Sequence, residues 1–195
     1  MRHDRFVIGA LVLAAGGSAR LGQPKQLLRF RGETLIRHAV RAAQEAGCAP
    51  LVIVAGRDQE TIAQELADLP VTLVPNELWE RGLGTSIRAG VAALPPEVEA
   101  VVILACDQPH VDATHLLNLL AERQRTDKPI VASAYAGTRG VPALFTREYF
   151  PMLLSLGDEQ GAKEILRAYR DGCSEVSCAA GAIDIDTPED YAALR

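Results

Sequence analysis

Two short, almost unbroken apolar runs, Leu51–Ala55 and Val98–Ala105, constrain this chain more than any other feature. A strand with one wet face alternates polar and apolar side chains. A run that is apolar at nearly every position needs cover on both faces, which is the condition of strands in a parallel sheet flanked by helices. Phe6–Leu13 has the same character and runs into small residues. Val98–Ala105 is the most apolar of the three and is expected at the centre of the sheet.

The segments between these runs have helical periodicity. In Thr34–Ala46 the apolar positions are Leu35, Ile36, Ala39, Val40 and Ala43, with Gly47 as the stop. Asp58 is placed to cap a helix reaching about Leu69, and Val71–Pro75 reads as another strand. Thr85–Leu94 is a helix ended by Pro95-Pro96, and Asp112 caps one running to Arg125 before the strand Ile130–Tyr135. This alternation predicts one α/β domain over residues 1–195, a three-layer α/β/α sandwich with a mostly parallel sheet. Right-handed crossovers then bring the loops after the strands to one edge, where ligands bind in such folds. Beyond Tyr135 the rhythm changes. Gly137–Phe145 reads as glycine-rich and short-stranded, Arg147–Leu156 and Gln160–Tyr169 as short helices, Ala182–Asp186 as a last strand, and Pro188 as the start of a terminal helix.

Charge and cysteine usage exclude several functions. A net charge of −5 argues against general nucleic-acid binding, while leaving a phosphorylated small molecule open because only local charge matters at a pocket. Cys48, Cys106, Cys173 and Cys178 match neither a zinc ribbon nor a CxxC pair, so they are expected as reduced thiols. His3, His38, His110 and His115 form no metal-ligand pattern. The longest apolar stretches are too short to cross a bilayer, so no membrane partner is expected. Cleavage of a leader would remove the first motif, so the expected location is cytoplasmic.

That motif is Leu13-Ala-Ala-Gly-Gly-Ser-Ala-Arg-Leu-Gly-Gln-Pro-Lys25. It leaves a buried strand, has small residues at Ala14–Gly17, and carries Arg20 and Lys25. Small residues let backbone amides approach a phosphate chain, and the two cations add the charge a triphosphate needs. It is not a Walker A loop, since Gln23 and Pro24 stand where Lys and Ser/Thr are required, and no GxGxxG follows the strand. Asp107, in Ala105-Cys-Asp-Gln-Pro109, ends the most apolar strand on the same edge and is a candidate for Mg²⁺ held between carboxylate and phosphate, or a turn cap. Asp186 is a second candidate, while Thr187 and Asp190 resemble a capping box. Asp184 is read as structural. Trp79 serves equally as an aromatic wall or as packing.

The two motifs, in this order, resemble those of the MobA-like nucleoside-triphosphate transferases, and within them most resemble the molybdenum cofactor cytidylyltransferases (MocA-type). The likeness runs on through Asn76, Gly82-Leu-Gly-Thr-Ser-Ile87, Gly140-Val-Pro-Ala-Leu-Phe145, Gly157-Asp-Glu-Gln-Gly-Ala-Lys163 and Asp184-Ile-Asp-Thr-Pro-Glu-Asp190. It implies the Rossmann-like fold of the nucleotide-diphospho-sugar transferases, with nucleotide bound by about residues 1–110 and acceptor by about 111–195.

The reaction the resemblance implies joins CMP from CTP to the terminal phosphate of the molybdopterin cofactor and releases pyrophosphate, with Mg²⁺ as the metal. Arg20, Lys25 and Asp107 would be catalytic, and Asp107 and Asp186 would hold the metal. Leu13, Ala14, Ala15, Gly16, Gly17, Ser18, Asn76, Gly84 and Ser86 would bind the nucleotide, and Gly140, Pro142, Phe145, Asp158 and Gly161 the acceptor. The Gly157–Lys163 helix start would offer amides to an anionic group. The expected partners are these small molecules, with transient contact to a molybdoenzyme or its chaperone. Cytidine is implied by Leu13-Ala-Ala-Gly16, where guanylyl enzymes usually carry a second glycine after the first alanine. GTP as donor, a sugar phosphate as acceptor, and a non-catalytic cofactor-binding chaperone stay open as alternatives.

Overall fold

The computed structural model describes residues 6–194. The first strand, β1 (Ile8–Ala14), is followed by a small hairpin of β2 (Arg29–Phe30) and β3 (Glu33–Thr34). Then come α1 (Leu35–Glu45), β4 (Leu51–Ala55), α2 (Gln59–Glu65), β5 (Thr72–Pro75), α3 (Leu83–Ala92), β6 (Ala100–Ala105), α4 (Ala113–Thr126) and β7 (Ile130–Tyr135). The last part holds β8 (Thr138–Thr146), α5 (Phe150–Leu154), α6 (Ala162–Ala168), β9 (Cys173–Ser177) and α7 (Pro188–Ala192).

Seven strands form one sheet in the order β5-β4-β1-β6-β8-β7-β9, with β6 at its centre. β8 is antiparallel to both neighbours; the other neighbouring pairs are parallel. Alternation along β1 explains the layers. Ala10, Val12 and Ala14 point into a core with Ile36 and Val40 of α1, Ile62 of α2 and Leu116 of α4. Leu11 and Leu13 point to the other side, with Ile87 of α3, Leu153 of α5 and Ile165 of α6. Both faces are dry, as the apolar runs require.

The caps follow the chemistry of the sequence. Thr34 and Asp112 accept the amides of Arg37 and His115, and Gly47 takes a left-handed φ of 82° after α1. Asp58 stands at the start of α2 without a side-chain capping bond.

Two expectations for the C-terminal third need correction, and one strand was not expected at all. Gly137–Phe145 is not short-stranded: Thr138–Thr146 is one continuous strand slotted between β6 and β7. Its irregularity is a bulge, because Ala132 pairs with Ala143 while Ser133 pairs with Gly140, leaving Val141 and Pro142 out of register. Proline has no amide to donate and is tolerated at such a place. Ala182–Asp186 is not a strand, because β9 already occupies the free edge of β7. That segment instead lies across the loop edge, where the Ile185 amide donates to the Asp107 carbonyl at 3.0 Å. The strand missed from sequence is β9, whose edge position leaves Ser174, Val176 and others partly exposed, so Cys173-Ser-Glu-Val-Ser has no continuous apolar run.

A third, small cluster of Leu21, Leu28, Phe30, Leu35 and Ile185, with Tyr191 packed against it, ties the first loop to the C-terminal segment. The Tyr191 hydroxyl donates to the Arg29 carbonyl at 3.1 Å. This cluster brings Asp186 to the same place as Lys25.

Candidate active site

β1 ends at Ala14, and the loop beyond it folds around a buried carboxamide. Gln26 is 1% exposed, and its Nε2 donates to the carbonyls of Ala14 at 2.7 Å and Gly16 at 2.8 Å. In the sequence Gln26 is marked only as an amide set between Lys25 and the apolar Leu27-Leu28, and its bracing role comes from the fold. Ser18, with a left-handed φ of 49°, accepts the Lys25 amide at 2.9 Å, so its hydroxyl shapes the loop. Leu13, Ala14, Ala15 and Gly16 wall a cavity of about 320 Å³ together with Trp79 and Ser86. Gly17 lies behind Trp79: a β-carbon there would come within 2.6 Å of the indole. Trp79 is therefore both wall and packing.

Lys25 and Asp107 line this cavity, and Asp186 meets them through Lys25. The Lys25 ammonium donates to Asp107 at 2.5 Å and to Asp186 at 3.0 Å. Burial lowers the affinity of the amine for its proton, but the charge and hydrogen bond of Asp107, reinforced by those of Asp186, outweigh it and raise Lys25 above the usual lysine range. The Lys25 hydrogen bond depresses the Asp186 carboxyl against a smaller burial effect, with the charges of Lys25 and Arg20 adding to it. Arg20 donates to Asp186 at 3.1 Å while its side chain stays 70% exposed, free to turn toward solvent. Asp184 sits beside this group, and burial followed by the charges of Asp107 and Asp186 raises its carboxyl.

Thr187 and Asp190 form the expected capping box, the Asp190 amide donating to Thr187 at 3.2 Å and the Thr187 amide to Asp190 at 2.8 Å. Among the described residues no cluster of three or more His, Cys, Asp or Glu side chains is poised for a metal. A divalent ion here would have two carboxylates, Asp107 and Asp186, and would take its remaining ligands from phosphate and water. That is the donor set Mg²⁺ favours, and two carboxylates already sharing one ammonium can share a metal cation.

The other residues expected to bind nucleotide divide by contact. Ser86 faces the cavity from the first turn of α3. Asn76 is buried behind it, donating to Thr85 at 2.9 Å and Ser86 at 3.0 Å and accepting the Leu78 amide at 3.0 Å, so it braces the helix start. Gly84 packs its backbone against Gly157, and its amide donates to the Asp158 carbonyl at 2.8 Å.

The expected acceptor residues are largely committed elsewhere. Phe145 is 0% exposed and paired with Val101 and Ile130 inside the sheet, so it lines no pocket. Pro142 is buried in the bulge, where its carbonyl accepts the Ser133 hydroxyl at 2.5 Å. Gly140 lies under the phenol of Tyr135. Asp158 is held between Arg81 at 2.5 Å and Arg88 at 2.6 Å. The Gly161 amide donates to the Glu164 carboxylate at 2.8 Å, which fills the start of α6 with a negative charge and removes the expected anion site.

All four cysteines are free and buried, and burial pushes Cys48 up to about 12, outside the reactive range. His3 lies outside the described residues. His38 contacts Glu33 at 3.1 Å and the His115 ring meets Ser133 at 2.7 Å, both remote in role from the loop. No helix among the described residues is long and apolar enough to cross a membrane.

Residues 10–173 match the model of the MobA-like NTP transferase domain. The chain is 31% identical to the nicotine blue oxidoreductase of Paenarthrobacter nicotinovorans over 84% of its own length and 83% of that protein's. It is 29% identical to the purine catabolism protein PucB of Bacillus subtilis, over 97% and 96%. Rv0371c of Mycobacterium tuberculosis superposes with a TM-score of 0.85 at 30% identity, covering 96% of each chain. Its manganese complex gives 0.81 at 27% identity, covering 96% of this chain and 97% of that one.

Proposed function

The chain belongs to the MobA-like NTP transferase family and is a nucleotidyltransferase of that family; within it, we propose that the protein transfers CMP from CTP to the terminal phosphate of the molybdopterin cofactor. The observation that carries this reading is the Lys25 ammonium set between Asp107 and Asp186 beside a cavity walled by Leu13–Gly16. An acceptor phosphate oxygen attacks the α-phosphorus, the bond to the bridging oxygen breaks, and pyrophosphate leaves. The acceptor brings its own ionised nucleophile, so the protein's task is to position two anions and neutralise them.

Lys25 is placed to exchange one of its carboxylates for an α-phosphate oxygen when the nucleotide enters. Arg20, exposed beside Asp186, is placed to reach the outgoing phosphates. Asp107 and Asp186 would hold Mg²⁺, which neutralises the triphosphate and orients its α-phosphate; the manganese complex of the related Rv0371c supports a divalent ion. The backbone around Ala14, Ala15 and Gly16 and the indole of Trp79 would receive base and sugar in this cavity of about 320 Å³, and the likeness of Leu13-Ala-Ala-Gly16 to cytidylyl enzymes supports cytosine as the base. Gln26, Ser18 and Asn76 keep those walls in place.

The test is direct. The protein is incubated with each of the four common nucleoside triphosphates, Mg²⁺, and molybdenum-loaded or empty molybdopterin, and pyrophosphate is measured. CTP should release the most; no release with any nucleotide would sink the assignment.

A further inference from the structure

A second cavity of about 680 Å³ opens at the same sheet edge, lined by Tyr135, Arg139, Leu166, Arg167, Arg170 and Ser177 among others. β7 and β9 run parallel, and β7 is antiparallel to β8 as β6 is, so Tyr135 and Ser177 end on the side where Asp107 follows β6. The two cavities have no lining residue in common, but α6 and β8 contribute to both. On α6, Ala162 faces the smaller cavity and Leu166, one turn on, faces the larger. On β8, Val141 faces the smaller and Arg139 the larger.

Tyr135 stands at the junction. Its hydroxyl donates to the Val141 carbonyl at 2.9 Å, and its ring covers Gly181, where a β-carbon would come within 2.7 Å. Burial raises the phenol, a hydrogen bond with Gln108 opposes it, and the charge of Asp184 adds to the rise.

The larger cavity is locally basic in a chain of net charge −5. Arg139 is paired with Glu175. Arg167 is 71% exposed and comes no nearer than 3.9 Å to Glu164, and Arg170 is exposed beside it. Guanidinium groups offer planar, paired donors suited to phosphate, carboxylate or carbonyl-rich heterocycle edges.

We propose that this arginine-lined groove holds the body of the phosphorylated acceptor, whose terminal phosphate reaches Lys25 past Tyr135 while its polar far end rests against Arg167 and Arg170. The assignment rests on the transferase reading above. It differs from the expectation drawn from Phe145, Asp158 and Gly161, whose groups are buried or already paired. An acidic segment of a protein partner would meet the same charges, but the bond from Tyr135 to Val141, a wall of the reaction cavity, favours the small molecule.

The test uses the full chain with Arg167→Glu and Arg170→Glu combined, folding being checked by circular dichroism. With CTP, Mg²⁺ and molybdopterin, the KM for molybdopterin should rise about tenfold or more, while kcat and the KM for CTP stay within about twofold, the scale of losing charge-assisted contacts to one substrate only. The Arg167→Lys and Arg170→Lys pair should recover part of the loss. An unchanged KM in a variant that folds overturns the groove's assignment alone; if that variant has also lost retention of a polyglutamate peptide, the groove belongs to a protein partner. No pyrophosphate from the unaltered protein overturns the acceptor reading, and the groove's role falls with it.

Discussion

The ammonium of Lys25 lies 2.5 Å from the carboxylate of Asp107, although 82 positions separate them in the chain. The contact couples the loop after the first strand to the end of the central strand. It keeps the lysine charged despite burial, and Asp186 reinforces it from the C-terminal segment. Activity should depend on these three side chains far more than folding does.

Lys25→Ala should lower kcat by about 10²–10³-fold, the usual cost of losing one preorganised charge at a reacting phosphate. The fold should survive, since the contact is at a cavity wall. Steady-state pyrophosphate release and a thermal melt of the same sample separate the two effects. Full activity in the variant would remove Lys25 from the site.

Gln26→Leu strips the Ala14 and Gly16 carbonyls of their donor inside the loop. Leaving buried carbonyls unsatisfied costs about 1–3 kcal/mol. The apparent KM for the nucleotide should rise because the Ala14–Gly16 wall loosens, and equilibrium denaturation should register the stability loss. A nucleotide KM equal to the parent's would show that the wall holds without this brace.

Phe145→Ala should behave as a core truncation, destabilising by about 3–5 kcal/mol. The remaining folded fraction, assayed at low temperature, should keep its acceptor KM, because the ring is 0% exposed. A selective rise in that KM would return Phe145 to the acceptor pocket.

Burial lowers the pKa of His115 below 6.5, its ring meeting Ser133 at 2.7 Å. Above that value both folded and unfolded chains carry a neutral ring, and it adds no pH dependence. Below it the unfolded chain takes up a proton that the folded chain resists, so stability falls as pH falls from 6.5 toward the depressed folded value. Melting temperatures across this interval should fall less steeply for His115→Gln than for the parent. Identical slopes would mean that His115 is protonated in the folded state as readily as outside it.

A β-carbon at Gly17 would press within 2.6 Å of the Trp79 ring. Gly17→Ala should displace the indole and raise the nucleotide KM, with a shift in tryptophan emission, since Trp79 is the chain's one tryptophan. Unaltered emission would show that the loop yields instead.

The apolar runs Leu51–Ala55 and Val98–Ala105 were enough to announce a two-sided, mostly parallel sheet, because burial on both faces leaves no polar position in a strand. Capping at Asp112 and Thr187 was legible for a similar reason, since the bond spans three residues and needs nothing distant, whereas Asp58 at the start of α2 makes no such bond. Lys25 and Asp107 were recognisable as charges following strands. Their convergence with Asp186 was decided by tertiary packing, through the small cluster that docks Ile185 beneath the first loop.

The same dependence on distant contacts explains the errors. β9 pairs at an edge, so its side chains carry little of the apolar signal that marked the inner strands. Phe145 and Gly161 looked available because their partners, the sheet interior and the Glu164 carboxylate, are invisible in a motif. Local hydrogen bonds and two-faced burial are written in short stretches of sequence. Which charges meet, and which glycines face a ligand rather than a tyrosine, follows only when the packed layers bring remote segments together.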